Sequence, residues 1–148
     1  MGIADLVAPG RVLTGLRAAD KPGVIEALAG RAAAALGLDP AVVCRELLER
    51  ERLGSTGVGR GTAIPHARLA GIAAPYGLLA RLERPVDFEA IDGRPVDLVC
   101  LLLLPAGAER GQLGALACVA RAFRDEALLA ALRRAQDPTA LHARLAAA

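Results

Sequence analysis

The chain has 148 residues, a formal net charge of +2, 54% apolar residues and 2% aromatic residues. This length suits one domain whose core of Leu, Ala, Val and Ile needs no disulfide or metal to hold it. Acidic and basic residues alternate without forming a basic stripe, and aromatic stacking platforms are missing, so nucleic acid is not expected as a partner.

The first half of the chain is predicted to contain a short strand over 12–16 followed by two helices. The helices are expected over 21–36 and 40–50, because each range follows an aspartate that can cap it and has a proline in its first turn. A glycine-rich loop over 54–61 comes next, since four glycines in eight residues do not form a stable helix. A short strand over 62–64 then stops at Pro65, and His66 follows.

The second half is predicted to contain strands over 77–82, 85–88 and 96–104. The last of these is almost entirely apolar, as expected when both faces of a strand are covered. Helices are expected over 113–123 and 125–132 and from Asp137 onward. The order of helices, strands and helices predicts an α/β fold with one sheet covered by helices on both sides, in a single domain spanning residues 1–148.

Three cysteines, Cys44, Cys100 and Cys118, lie far apart in apolar surroundings. This pattern is typical of reduced core thiols in a cytoplasmic protein. No paired Cys or His spacing indicates a metal site, and no cofactor is expected. The longest apolar run, 98–104, is far shorter than the roughly 20 residues of a membrane helix, and no signal-peptide pattern opens the chain, so direct membrane insertion is not expected.

The densest group of chemically useful residues lies between Arg50 and His66. Neutral imidazole is a good nucleophile near neutral pH, and an arginine fork can contact two phosphoryl oxygens at once. Glycine allows backbone N–H groups to approach an anion, and Ser55 and Thr56 can donate hydrogen bonds. The combination indicates phosphoryl transfer through His66, although a lone histidine after a proline is more often a plain turn residue.

Other functions for this region find less support in the sequence. The glycines follow a helix and lack the dinucleotide-binding spacing, and no nucleotide P-loop is present. Glu51 is interpreted as a solvated charge at a helix end, and Asp92 and Asp97 as turn and strand-edge residues. His142, in the last helix, is expected to be a surface residue.

A series of motifs in fixed order closely resembles the fructose/mannitol/nitrogen-type enzyme IIA of the bacterial phosphotransferase system, and most of all its standalone nitrogen-regulatory type. The resemblance covers residues 5–146. The matching segments are Arg50-Glu51, Leu-Gly-Ser-Thr-Gly-Val-Gly-Arg-Gly at 53–61, Ala-Ile-Pro-His at 63–66, Pro-Val-Asp-Phe at 85–88, Asp-Gly-Arg-Pro-Val-Asp at 92–97 and Leu-Leu-Leu-Leu-Pro at 101–105.

The resemblance implies a mixed sheet between helices and a role for specific residues. It implies that His66 accepts phosphate through Nε2 from the phosphocarrier HPr or its nitrogen-branch paralogue. Arg50 would help to hold the phosphate, with Ser55 and Thr56 close by. The family often has a second histidine where this chain has Gln112. A neutral hydrogen bond in place of a charge-assisted one would weaken stabilisation of the phosphate by roughly 1–2 kcal/mol.

Three hypotheses follow from the sequence. The first is a phosphoryl carrier with a regulatory role. The second is a phosphorylation-switched binding protein that controls a kinase, transporter or metabolic enzyme without passing phosphate to a sugar. The third is a small-molecule binding domain in which His66 has no chemical role.

Overall fold

The computed structural model describes residues 2–107 and 109–148, and it describes side chains outside 108–113. After a short helix and strand at the start, the chain follows the predicted order of helices, then strands, then helices. The elements are α1 (Ile3–Leu6), β1 (Val12–Leu16), α2 (Lys21–Leu36), α3 (Pro40–Leu53), β2 (Gly57–Gly59), β3 (Thr62–Ala63), β4 (His66–Leu69), β5 (Tyr76–Val86), β6 (Val96–Pro105), α4 (Glu109–Ala122), α5 (Glu126–Arg134) and α6 (Pro138–Ala146).

The predicted aspartate caps are confirmed at the starts of α2, α3, α5 and α6. In each case the carboxylate accepts a hydrogen bond from a backbone N–H in the first turn, where helix amides have no intrahelical partner. The oxygen-to-nitrogen distances are 2.9 Å for Asp20–Gly23, 3.0 Å for Asp39–Ala41, 3.1 Å for Asp125–Leu128 and 2.8 Å for Asp137–Ala140.

A mixed six-stranded sheet forms the middle layer, with β6 at its centre. The strand order is β1-β5-β6-β3-β2, and β4 also pairs with β6. Strand β5 runs antiparallel to β6, whereas β3 and β4 both run parallel to it along its other edge. The predicted mixed sheet is therefore confirmed, and two short strands share one edge of the most buried strand.

Helices cover both faces of this sheet, as the apolar run over 96–104 predicted. Val99, Leu101 and Leu103 pack with α2 and α3, while Leu98 and Leu102 pack with residues of α1, α4, α5 and α6. Because successive side chains of β6 point to opposite faces of the sheet, the strand contributes to two separate hydrophobic layers. Cys100 and Cys118 are buried, as expected of core thiols, and Cys44 is half-buried.

Several boundaries differ from the sequence-based predictions. Helix α3 continues to Leu53 instead of ending near Arg50, and the short elements α1, β2 and β4 were not predicted. The two strands expected over 77–82 and 85–88 form one strand, β5. Pro85 is tolerated there because the pairing with β6 shifts between Arg81 and Val86, and proline in a sheet is confined to such irregular places.

None of the helices in the described ranges is both long and apolar enough to cross a membrane.

Gly77, in β5, lies where a side chain would strike backbone. A Cβ placed there would approach the Leu6 carbonyl oxygen to 2.8 Å and Val7 Cγ2 to 2.9 Å. We therefore expect Gly77→Ala to lower the free energy of unfolding by about 1–3 kcal/mol. Gly30→Ala, in the middle of α2 with open space around the added methyl group, should raise it by about 0.5–1 kcal/mol. Urea unfolding of both variants checks the opposite signs, and a loss of stability in Gly30→Ala alone would contradict the packing described here.

Candidate active site

His66 begins the short strand β4, at a break in the edge of the sheet. Strand β3 pairs Ala63 with Val99 of β6, and β4 resumes the pairing at His66 with Leu102. Pro65 lies in the break, where its carbonyl accepts the Leu102 N–H at 2.9 Å. Proline has no N–H to donate, so it fits a position between two ladders. The pairing that resumes after the break holds His66 against the central strand.

The orientation and tautomer of the His66 ring are set by a backbone carbonyl. Nδ1 lies 2.9 Å from the carbonyl oxygen of Ile64. A carbonyl oxygen can only accept, so Nδ1 carries the proton and donates it. In the neutral ring, Nε2 then holds the free lone pair. The half-buried imidazole is therefore in the form required for nucleophilic attack through Nε2.

The environment lowers the pKa of His66 below its ordinary value of 6.5. Burial is the largest cause, because it disfavours the charged ring, and the positive charges of Arg50 and Arg68 act in the same direction. The hydrogen bond to Ile64 and the negative charge of Glu51 oppose this shift. The net effect favours the neutral ring at physiological pH.

This shift gives a prediction for the titration of His66. Its midpoint should lie below 6.5, so neutral nucleophile is lost only when the pH falls below the ordinary histidine range. A two-dimensional NMR titration of the ring protons would measure this midpoint, with His66→Ala to assign the signals of the two histidines. A midpoint above 6.5 would contradict the described burial and the arginine charges.

Arg50 lies in the last turn of α3. Its Nη1 donates a hydrogen bond to the carbonyl of Gly54 at 2.9 Å, and its charge acts on His66. The guanidinium carries five N–H donors, so this bond leaves others for an anion. The structure thus places the predicted arginine and the predicted histidine within electrostatic reach of each other.

Ser55 and Thr56 hold the shape of the glycine-rich loop. The Ser55 hydroxyl donates to the Phe88 carbonyl and accepts the Gly57 N–H at 3.0 Å. The Thr56 hydroxyl donates to Glu51 Oε1 at 2.5 Å, and the Thr56 N–H donates to Glu51 Oε2 at 2.9 Å. Both hydroxyl protons are therefore used inside the protein, so these residues support the site through the loop backbone.

Glu51 corrects the sequence-based interpretation of a solvated helix-end charge. The residue is only 7% exposed, and its carboxylate forms an ion pair of 2.7 Å with Lys21 in addition to the two bonds from Thr56. A charge can be buried at this level because it is paired and hydrogen-bonded. No sequence pattern indicated this role for Lys21, which is the only lysine in the chain.

The far end of the glycine-rich loop is anchored by charged residues. Arg133 of α5 forms a bidentate pair with Asp97 and donates to the carbonyl of Arg60 at 2.6 Å. Asp92 accepts the N–H groups of Arg60 and Arg94 at 2.9 and 3.0 Å. Asp92 and Asp97 thus have the turn and strand-edge roles expected from the sequence.

Two further residues were singled out in the sequence, His142 and Gln112. His142 is half-buried rather than a free surface residue, because its Nε2 lies 2.9 Å from the carbonyl oxygen of Val7 and links α6 to the end of α1. Gln112 falls within the range whose side chains lie outside the described part of the chain, so its expected role stays a prediction. In the described residues no group of three or more His, Cys, Asp or Glu side chains could hold a metal ion.

Known proteins resemble this chain in sequence and in fold. The family model described as "Phosphoenolpyruvate-dependent sugar phosphotransferase system, EIIA 2" matches residues 5–148. A "Nitrogen regulatory protein" of Bradyrhizobium diazoefficiens is 47% identical over 146 residues, which cover 99% of this chain and 95% of that protein.

Solved structures agree with the sequence comparison. The nitrogen regulatory protein IIA-Ntr of Neisseria meningitidis superposes with a TM-score of 0.90 at 31% identity, over 97% of this chain and 98% of the other. Enzyme IIA for mannitol of Escherichia coli, in complex with phosphorylated enzyme IIB, gives a TM-score of 0.79 at 17% identity, over 95% and 97%, and shares the fold. The chain therefore belongs to the EIIA 2 family of the phosphoenolpyruvate-dependent sugar phosphotransferase system.

Proposed function

We propose that this protein is a phosphoryl carrier that accepts phosphate on Nε2 of His66. The observation that carries the proposal is the hydrogen bond from Nδ1 to the Ile64 carbonyl, which leaves Nε2 with the lone pair. The charge of Arg50 acts on this ring and can balance the phosphoryl oxygens. Ser55 and Thr56 support the site by holding the loop that follows Arg50.

The transfer step needs positioning more than covalent machinery. Nε2 attacks the phosphorus of a phosphohistidine on the donor, and the bond from phosphorus to the donor nitrogen breaks with its electron pair returning to that ring. The Nδ1 proton stays on His66, donated to Ile64. Arg50 stabilises the charge on the transferring oxygens through N–H donors other than the one given to Gly54.

The proposed donor is HPr or its nitrogen-branch paralogue, and the encounter takes place in the cytoplasm. Three large apolar side chains, Leu53, Val58 and Ile91, are exposed on and beside the loop, at 85%, 43% and 90%. The loop packs along the 88–92 segment through the bond from Ser55 to Phe88. Exposed apolar side chains of this kind suit a small, transient protein contact.

A regulatory role is the second candidate, and it is favoured by the similarity to proteins named as nitrogen regulatory proteins. Phosphate on His66 would add roughly −1.5 to −2 charges, by analogy with other phosphorylated residues. Such a change of charge at His66 would alter which partners bind there. A kinase, a transporter or a metabolic enzyme is a suitable target, and onward transfer to a sugar is not required for this role.

The test combines the purified protein with phosphoenolpyruvate, enzyme I and HPr. Intact mass under mildly alkaline conditions follows the reaction, because phosphohistidine is acid-labile. The expected result is the addition of one phosphate, lost again on acid treatment and returned to HPr when excess unphosphorylated HPr is added. No mass increase from a donor shown to be active would overturn the carrier proposal and favour a binding role without phosphotransfer.

A further inference from the structure

A continuous series of hydrogen bonds connects Lys21 to His66. The Lys21 ammonium pairs with Glu51, whose carboxylate accepts from both the N–H and the hydroxyl of Thr56. The Thr56 carbonyl accepts the N–H of Ile64 at 2.9 Å. The carbonyl of the same Ile64 then accepts the Nδ1 proton of His66. The series of bonds therefore runs from the start of α2 through α3 and the glycine-rich loop to the edge of the sheet.

The charges along this series need to balance. Glu51 has a side chain only 4% exposed, and its negative charge acts on the His66 ring. A buried anion at this place would repel an incoming phosphoryl group, which is itself negative. Lys21, with a side chain 13% exposed, is the partner that offsets it. Its ammonium is also held near the Phe88 carbonyl at 3.4 Å and the exposed Glu89 at 3.6 Å.

We propose that Lys21 is a positioning and charge-balancing residue of the phosphoryl site: it neutralises Glu51, so that this carboxylate can pin Thr56 and thereby orient His66 without repelling the phosphate. This inference rests on the proposed function of His66. Lys21 acts through Glu51 and Thr56 and does not touch the phosphoryl group itself.

Loosening of the glycine-rich loop and a change of charge have different effects on the pKa of His66. Loosening would admit water to the ring, relieve its burial and raise its pKa in any variant of the series. A charge effect shifts the pKa of His66 in opposite directions when Lys21 or Glu51 is replaced. Removing Lys21 leaves the Glu51 anion unopposed and raises the pKa of His66, whereas removing the Glu51 charge lowers it.

The test measures the His66 titration by NMR in Lys21→Met, Glu51→Gln and the double variant. We expect Lys21→Met to raise the midpoint and Glu51→Gln to lower it, each by about 0.5–1 pH unit. The double variant should return close to the wild-type midpoint, because it loses one charge of each sign. Arg17→Met and Glu49→Gln are matched controls, because these residues lie in exposed ion pairs, with Glu83 and Arg52, and should leave the midpoint unchanged.

Phosphorylation provides the second readout. With HPr as donor at a fixed ratio, Lys21→Met should lower the equilibrium phosphate occupancy roughly tenfold, and the double variant should recover most of it.

Shifts of the His66 midpoint of the same sign in both single variants, or no recovery of phosphate occupancy in the double variant, would overturn the proposal. If Lys21→Met does not fold, the comparison of Glu51→Gln with the double variant still decides it: the midpoint must be lower in Glu51→Gln than in the double variant. Absence of phosphate on the wild type would count against the carrier function, while the titration signs would still test the role of Lys21.

Discussion

Replacing His66 with alanine is expected to abolish phosphate incorporation completely. The neutral ring, with its lone pair directed to Nε2 by the bond from Nδ1 to Ile64, is the nucleophile, and alanine offers no substitute. The fold should survive, because the ring is half-buried and its loss removes one hydrogen bond worth about 1 kcal/mol. Intact mass after incubation with the active donor measures the loss, and circular dichroism with thermal unfolding confirms that the variant is folded.

The second histidine of the chain provides the matched control. His142→Gln keeps a side-chain donor for the Val7 carbonyl, so it should fold normally and accept one phosphate as the wild type does. Phosphate on the His66→Ala variant, or its loss only in His142→Gln, would assign the chemistry to another residue and contradict the site described here.

Replacing Arg50 with methionine is expected to slow phosphate acceptance by about a hundredfold to a thousandfold. Methionine keeps the aliphatic length of the side chain but loses the charge and the planar fork that can contact two oxygens. The lost charge should also raise the pKa of His66, since Arg50 lowers it. Rapid-quench kinetics with phosphorylated HPr would measure the rate, and NMR titration would measure the pKa.

Arg52 is a suitable control for Arg50, because it lies in the same last turn of α3 but forms an exposed pair with Glu49 at 3.0 Å. Arg52→Met should leave the rate within about twofold of the wild type, as expected for a screened surface charge. Arg50→Lys should lie between wild type and Arg50→Met, since it retains the charge without the fork. Equal rate losses in Arg50→Met and Arg52→Met would indicate a general effect of positive charge on docking.

Local rules predicted much of the fold. Aspartate caps followed by proline located α2, α3 and α6 because those signals act within one helical turn. The apolar run of β6 identified the central strand because burial on both faces leaves no polar positions. The short strands β2 and β4 were not predicted, because strands of three or four residues show no periodicity and form only through pairing with neighbouring strands.

The site was predicted in part for similar reasons. His66 and Arg50 stood out through residue type and motif, whereas the pairing of Lys21 with Glu51 joins residues 30 positions apart and has no local signal. Glu51 is buried because α3 extends to Leu53 and the glycine-rich loop that follows folds back against the helix. Motifs indicated which groups are reactive, but only the tertiary contacts show which groups hold them in place.

The break at Pro65 has a kinetic consequence for the nucleophile. Displacing His66 from its place requires β4 to separate from β6, whose residues Leu101 to Leu103 are fully buried. Such an opening breaks the pairing of four residues and exposes part of the buried β6, so it costs more free energy than the fraying of an ordinary loop. The Leu102 amide, which bonds the Pro65 carbonyl, would then exchange with solvent more slowly than the amides of an unpaired loop. A histidine held in this way keeps its orientation between encounters, so each productive collision with a partner finds the reactive nitrogen already in place.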